Sequence, residues 1–183
     1  TVLRTTTTPN SFCRADHMRT SPAAYTGHLL PTEPTLADLR TAAADYEAIC
    51  LANIAAIADR FEARADYPFI DTKLDLKTGC DFPTEDPIRG RDAIYGWIQG
   101  RGLEALAGHA IWLAGYRDPD IQALAGRLRA MARTVLTSLR RMRDANGGHL
   151  YFFMRPDGTP FALGTDGQPQ DIPLAADAPS NFS

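Results

Sequence analysis

The chain has 183 residues, enough for one domain with a sizeable buried core. Its 44% hydrophobic and 22% charged residues are ordinary for a globular protein. A formal charge of −3 carries no basic excess, so nucleic acid is not an expected partner. No apolar run reads as long enough for a membrane span, so no membrane partner is expected.

Residues 1–34 read as a disordered or tag-derived segment, because the Thr-rich start lacks any apolar period and has no signal-peptide pattern. The His17-Met18 junction has the form of an expression-vector scar, which makes Met18 a candidate natural start. Residues 35–183 read as one helical domain. Thr35 offers an N-cap, and Leu36, Leu39, Ala43, Tyr46, Ile49, Cys50, Ile54, Ile57 and Phe61 recur at three- and four-residue steps. That spacing predicts a helix over 36–64 with one apolar face, Cys50 being a small core residue on it.

Residues 65–92 show no helical period. Tyr67-Pro68-Phe69-Ile70 reads as a short extended piece, Lys77-Thr78-Gly79 as a turn, and Pro83 and Pro87 forbid a long helix. Asp81, Glu85 and Asp86, lying among prolines, read as a solvated acidic loop. A second helix is expected over 92–116, and a third over 119–145, opened by Asp118-Pro119 and stopped by Asn146-Gly147-Gly148. Two apolar runs around Arg155-Pro156-Asp157-Gly158 predict a β-hairpin, and the polar tail from Gly164 carries no predicted element.

Cys13, Cys50 and Cys80 are odd in number and far apart, with no Cys-x-x-Cys pair, so reduced thiols and a cytoplasmic location are expected. His17, His28, His109 and His149 form no ligand pair at helical spacing, and no metal or other cofactor is expected.

The chemistry-bearing stretch is Tyr95-Gly96-Trp97-Ile98-Gln99-Gly100-Arg101. Trp97, Arg101 and Glu104 follow i, i+4, i+7 and share one helical face. On spacing alone this reads as a half-buried Trp with an Arg–Glu pair on its rim ahead of a ligand site. Gly96, Gly100 and Gly108 each cost up to about 1 kcal/mol in a helix, and the first two sit where a neighbouring backbone or a ligand could come close.

The same stretch resembles the Trp-x-x-Gly-Arg element of the N-acylglucosamine 2-epimerase family. Asp71 to Gly79 is similar to the loop before it, and Gly147 to Phe153 with Asp157-Gly158 is similar to a glycine-started strand and turn. Gly96 stands where the family often has an aromatic or polar residue. The resemblance implies a mainly α fold of antiparallel helix hairpins with a small β-hairpin, forming the first part of an (α/α)6 barrel. It implies a sugar 2-epimerase or isomerase acting on a reducing-end sugar by proton abstraction beside a carbonyl. Arg101 would be the catalytic cation in a concave, helix-lined cavity, with Trp97, Tyr95, Glu104 and His109 as substrate-binding residues. The front part alone would be inactive, its partners being the C-terminal portion or a self-associating copy. The alternatives are a glycosidase or lyase on the same scaffold, or a non-enzymatic helical module that binds a partner.

Overall fold

The computed structural model describes residues 30–71, 73–75 and 77–172. Most of the segment expected to be disordered or tag-derived, and the Cys13 and Met18 readings, lie outside them. The described chain is mainly helical with a small antiparallel sheet.

Helix α1 covers Leu36–Glu62 and opens with a capping box. Thr35 Oγ1 accepts from the Asp38 amide at 3.2 Å, and the Asp38 carboxylate accepts from the Thr35 amide at 2.8 Å. The long segment after it leads to β1, Ile94–Tyr95, which runs directly into α2, Gly96–Ala114. Helix α3 covers Pro119–Ala145, with Asp118 as N-cap and proline in the first turn, where its missing amide costs nothing. Strands β2 (Phe153–Met154), β3 (Pro160–Leu163) and β4 (Pro169–Asp171) follow.

The sheet order is β1-β2-β3-β4, antiparallel throughout. The register sets Tyr95 opposite Phe153 and Phe153 opposite Phe161. Their rings form a ladder across three strands, with centroids 4.8 Å and 5.1 Å apart. The expected hairpin is present, but the sheet extends it on both sides. β1 replaces the first residues of the expected second helix, because Ile94 and Tyr95 pair with Met154 and Phe153. β4 lies in the tail, where no element was expected.

The core lies between α2 and α3 and under the C-terminal end of α1. Leu128, Met131, Val135, Leu139 and Met142 of α3 meet Leu106, Ala110 and Leu113 of α2, with Phe69, Ile94 and Met154 closing one end. α1 contributes Ile54 and Ala58 as fully buried residues, with Leu51, Ala55 and Phe61 packed beside them. The rest of the apolar face expected for α1 is not core, and Cys50 is exposed. The heptad-like pattern persists over the whole helix, while the core reaches only its last third.

The glycines of α2 divide by face. A Cβ on Gly96 would come 2.4 Å from the Tyr151 carbonyl oxygen, and one on Gly102 would come 2.3 Å from Ile70 Cδ1. A Cβ on Gly108 would meet nothing within 4 Å. Gly96→Ala should therefore destabilise the fold by about 1–3 kcal/mol despite its better helix propensity. Gly108→Ala should stabilise it by up to about 1 kcal/mol. Thermal melts of the two variants check this, and equal shifts would contradict the packing described here.

Candidate functional site

The segment from 63 to 93 positions the start of α2, and side chains hold it in place. Arg60 in the last turn of α1 and Arg64 just past its C-cap each bind both Asp71 and Asp81. Arg60 Nη2 lies 2.9 Å from Asp71 and 2.7 Å from Asp81, and all four side chains are largely buried. Asp81 is thus an internal anchor and not part of a solvated loop. Asp86 likewise is spent locally. Its carboxylate accepts from the Ile88 and Arg89 amides at 3.1 Å and 2.7 Å and pairs with the Arg89 guanidinium.

Gln99 provides a second clamp. Its amide accepts from Ile70 N–H and donates to Ile70 C=O, both at 2.8 Å, so a buried polar side chain mimics a strand partner. Lys73 provides a third, with its ammonium donating to the carbonyls of Gly90 and Ala93 and lying 5.3 Å from the Tyr95 ring centre. Burial pushes the Lys73 amine below its usual value.

Cys80 is disulfide-bonded. That corrects the expectation of reduced thiols throughout. The spacing of three cysteines carries no signal for such a bond, because the loop geometry that brings sulfurs together is not local.

The expected site residues fall in two places. Tyr95 is half-buried at the N-cap of α2, and its hydroxyl donates to the Ile88 carbonyl at 3.1 Å. Burial, with the Asp86 charge nearby, pushes its phenol above the usual value. It lines a cleft with Lys73, Ile98 and Gln99. Trp97, Arg101, Glu104 and His109 are exposed on the opposite, solvent-facing side of α2. Helical spacing brings Trp97, Arg101 and Glu104 together on one stripe, with His109 at its edge. The expected Arg101–Glu104 rim pair is absent among the described residues.

Arg101 is exposed, and neither of two clefts among the described residues is a concave cavity in front of it. Two clefts, one under α1 and one beside Tyr95, hold about 10 Å³ each, room for one water and not for a sugar. Arg101 lines neither.

Two further residues complete the stripe. Trp112 is 39% exposed and held edge-on to Tyr116, with centroids 5.3 Å apart, and to His109 at 6.4 Å. The Glu47 carboxylate beside the Tyr116 hydroxyl pushes that phenol up to about 12. Gly108 lies between Glu104 and Trp112 and leaves the helix surface bare there. The i, i+4, i+8 spacing from Glu104 through Gly108 to Trp112 was the available sequence signal for both.

Among the described residues, no cluster of three or more His, Cys, Asp or Glu side chains could hold a metal ion. By length and composition α1 does meet the requirement for crossing a membrane, with mean hydropathy 1.2 over 18 residues, because alanine raises the average without forming an obvious apolar run. No family model matches the chain, and no curated protein or solved structure matches it.

Hydrogen bonding holds the carboxyls of Asp86 and Asp157 below their ordinary values, through Arg89 for the first and Thr159 for the second. The unfolded chain therefore takes up protons first as pH falls. The stability they contribute is complete above about pH 5 and is lost as pH drops through their depressed values. Asp86→Asn and Asp157→Asn should each lower the melting temperature at pH 7, and the difference from the parent should shrink towards pH 2. A constant difference across that range would show that these carboxylates contribute nothing through ionisation.

Proposed function

We propose that the exposed stripe of α2 is one wall of a sugar-binding pocket. The chain would be the front part of an (α/α)6-barrel sugar 2-epimerase or isomerase acting on a reducing-end sugar, as its resemblance to the N-acylglucosamine 2-epimerase family implies. The observation that carries this reading is the placement of Trp97, Arg101 and Glu104. An indole, a guanidinium and a carboxylate line one side of a helix whose other side is clamped, and no hydrogen bond or ion pair occupies the two charges among the described residues. An indole face suits the C–H side of a pyranose, and a guanidinium presents a fork of donors to sugar oxygens.

In this reading the reaction removes a proton next to the sugar carbonyl. Negative charge then builds on the carbonyl oxygen, and Arg101 is the cation that stabilises it. Trp97 orients the ring, and Glu104 accepts from a hydroxyl. The general base needs a pKa near neutrality. Among the described residues His109 is the only histidine beside the stripe, at its edge, and helices other than the three described would supply the base. The chain alone therefore binds sugar without turning it over.

A non-enzymatic module that binds a protein partner is the second reading. Ile111, 75% exposed beside the bare Gly108, favours it, because an apolar side chain next to a glycine notch suits a docked helix. A glycosidase or lyase has less support, since Glu104 is the only carboxylate on the stripe and that chemistry uses a pair.

Titration of the chain with N-acetylglucosamine and N-acetylmannosamine, followed by tryptophan fluorescence, tests the sugar reading. Saturable quenching in the millimolar range is expected, weakened at least about tenfold by Arg101→Ala at unchanged melting temperature, as suits loss of a charged contact. In a polypeptide carrying the remaining helices, the same change should lower kcat about 10²–10³-fold. Quenching that is unsaturable, or indifferent to Arg101, would sink the proposal.

A further inference from the structure

The apolar pattern of α1 serves two surfaces. Ile54 and Ala58 go to the core. Leu36, Leu39, Ala43, Tyr46 and Cys50 are exposed, and so are Asn53 and Ile57, which follow at the same steps. The steps are 3, 4, 3, 4, 3, 4, the alternation of a coiled-coil seam. Leu36 is 63% and Tyr46 61% exposed, values expected of polar surface positions.

We propose that this seam is a dimer interface, in which α1 packs antiparallel against α1 of a second copy of the chain. Exposure supports it. Leu36, Leu39, Tyr46 and Ile57 of the seam are 63%, 46%, 61% and 44% exposed, contiguous apolar surface of the kind that specific interfaces cover. Side-chain size supports the antiparallel register. It sets Ala43 against the second copy's Tyr46 and Leu39 against the second copy's Cys50, large against small. A parallel pairing would stack Tyr46 on Tyr46. Charge agrees as well, because the antiparallel register brings Arg40 of each copy beside Glu47 of the other. A bilayer is the poorer occupant. The apolar window of α1 that would have to enter it includes Asp45 and Glu47, and a carboxylate near the middle of a span costs about 2.5–3.5 kcal/mol. The inference concerns a different helix from the sugar stripe and does not rest on that reading.

Sedimentation velocity of the chain at micromolar concentration tests the proposal, with a concentration-dependent monomer–dimer equilibrium expected. The double variant Leu39→Glu/Tyr46→Glu should sediment as a monomer with unchanged far-UV circular dichroism, since both side chains lie on the surface. Should that variant lose its helix signal, Leu39→Cys decides. Its thiol would face the second copy's Cys50, and copper–phenanthroline oxidation should give a disulfide-linked dimer. A monomer at every concentration would overturn the interface, as would a dimer indifferent to both glutamates or no cross-link from Leu39→Cys. A Cys50–Cys50 cross-link in the unsubstituted chain would overturn the antiparallel register. Co-sedimentation of a monomeric chain with phosphatidylcholine–phosphatidylglycerol vesicles would assign the seam to a membrane instead.

Discussion

The buried ion cluster that joins Arg60 and Arg64 to Asp71 and Asp81 is the constraint on which the rest of the described fold depends. Charges this buried are stable only when paired, and removing one partner typically costs about 3–5 kcal/mol, a large fraction of a domain's net stability of about 5–15 kcal/mol. The cluster ties two points of a segment that has little backbone ladder of its own to the end of α1. Between those points the chain makes a tight turn, closed by the Asp75–Cys80 and Gly79–Asp75 backbone bonds. Ile70 is thereby delivered to Gln99, and Lys73 to the carbonyls of Gly90 and Ala93. The direction in which α2 leaves the sheet follows from those contacts.

What the sequence made readable was local. α3 begins and ends where Asp118-Pro119 and Asn146-Gly147-Gly148 say it should, because caps and breakers act on adjacent residues. The length of α1 was readable for the same reason. Its buried face was not, since a repeating pattern does not record how far the core extends along it. The start of α2 moved from 92 to 96 because Ile94 and Tyr95 find strand partners some sixty residues on, a pairing that no local period reveals. Asp81 looked solvated beside prolines, and its role depends on arginines brought near by the fold, whereas Asp86 is capped by its own turn and by Arg89 three residues on. At the candidate site, the shared face of Trp97, Arg101 and Glu104 was readable from helical spacing. The open surroundings of that face, and the addition of Gly108 and Trp112, required the packing to be seen.

α2 is thus two-sided. On one side Gly96 admits a backbone carbonyl, Gly102 admits Ile70, and Gln99 is bonded twice to main chain. That side tolerates little displacement. The other side makes no such contacts, yet its side chains inherit a fixed backbone. Groups mounted on a rigid element keep their mutual geometry without a partner, which is the preorganisation that binding sites require.

Lys73 carries a consequence of a practical kind. The chain has only two lysines, Lys73 and Lys77. The first has its amine spent on two carbonyls beneath an aromatic ring, while the second stands exposed on the turn before Gly79. Acylating reagents need a free, unprotonated amine with open access. In the folded protein such chemistry on side chains is directed to Lys77 alone, so the turn beside the ion cluster can carry a single fluorophore, or a surface tether, without touching either exposed helical face.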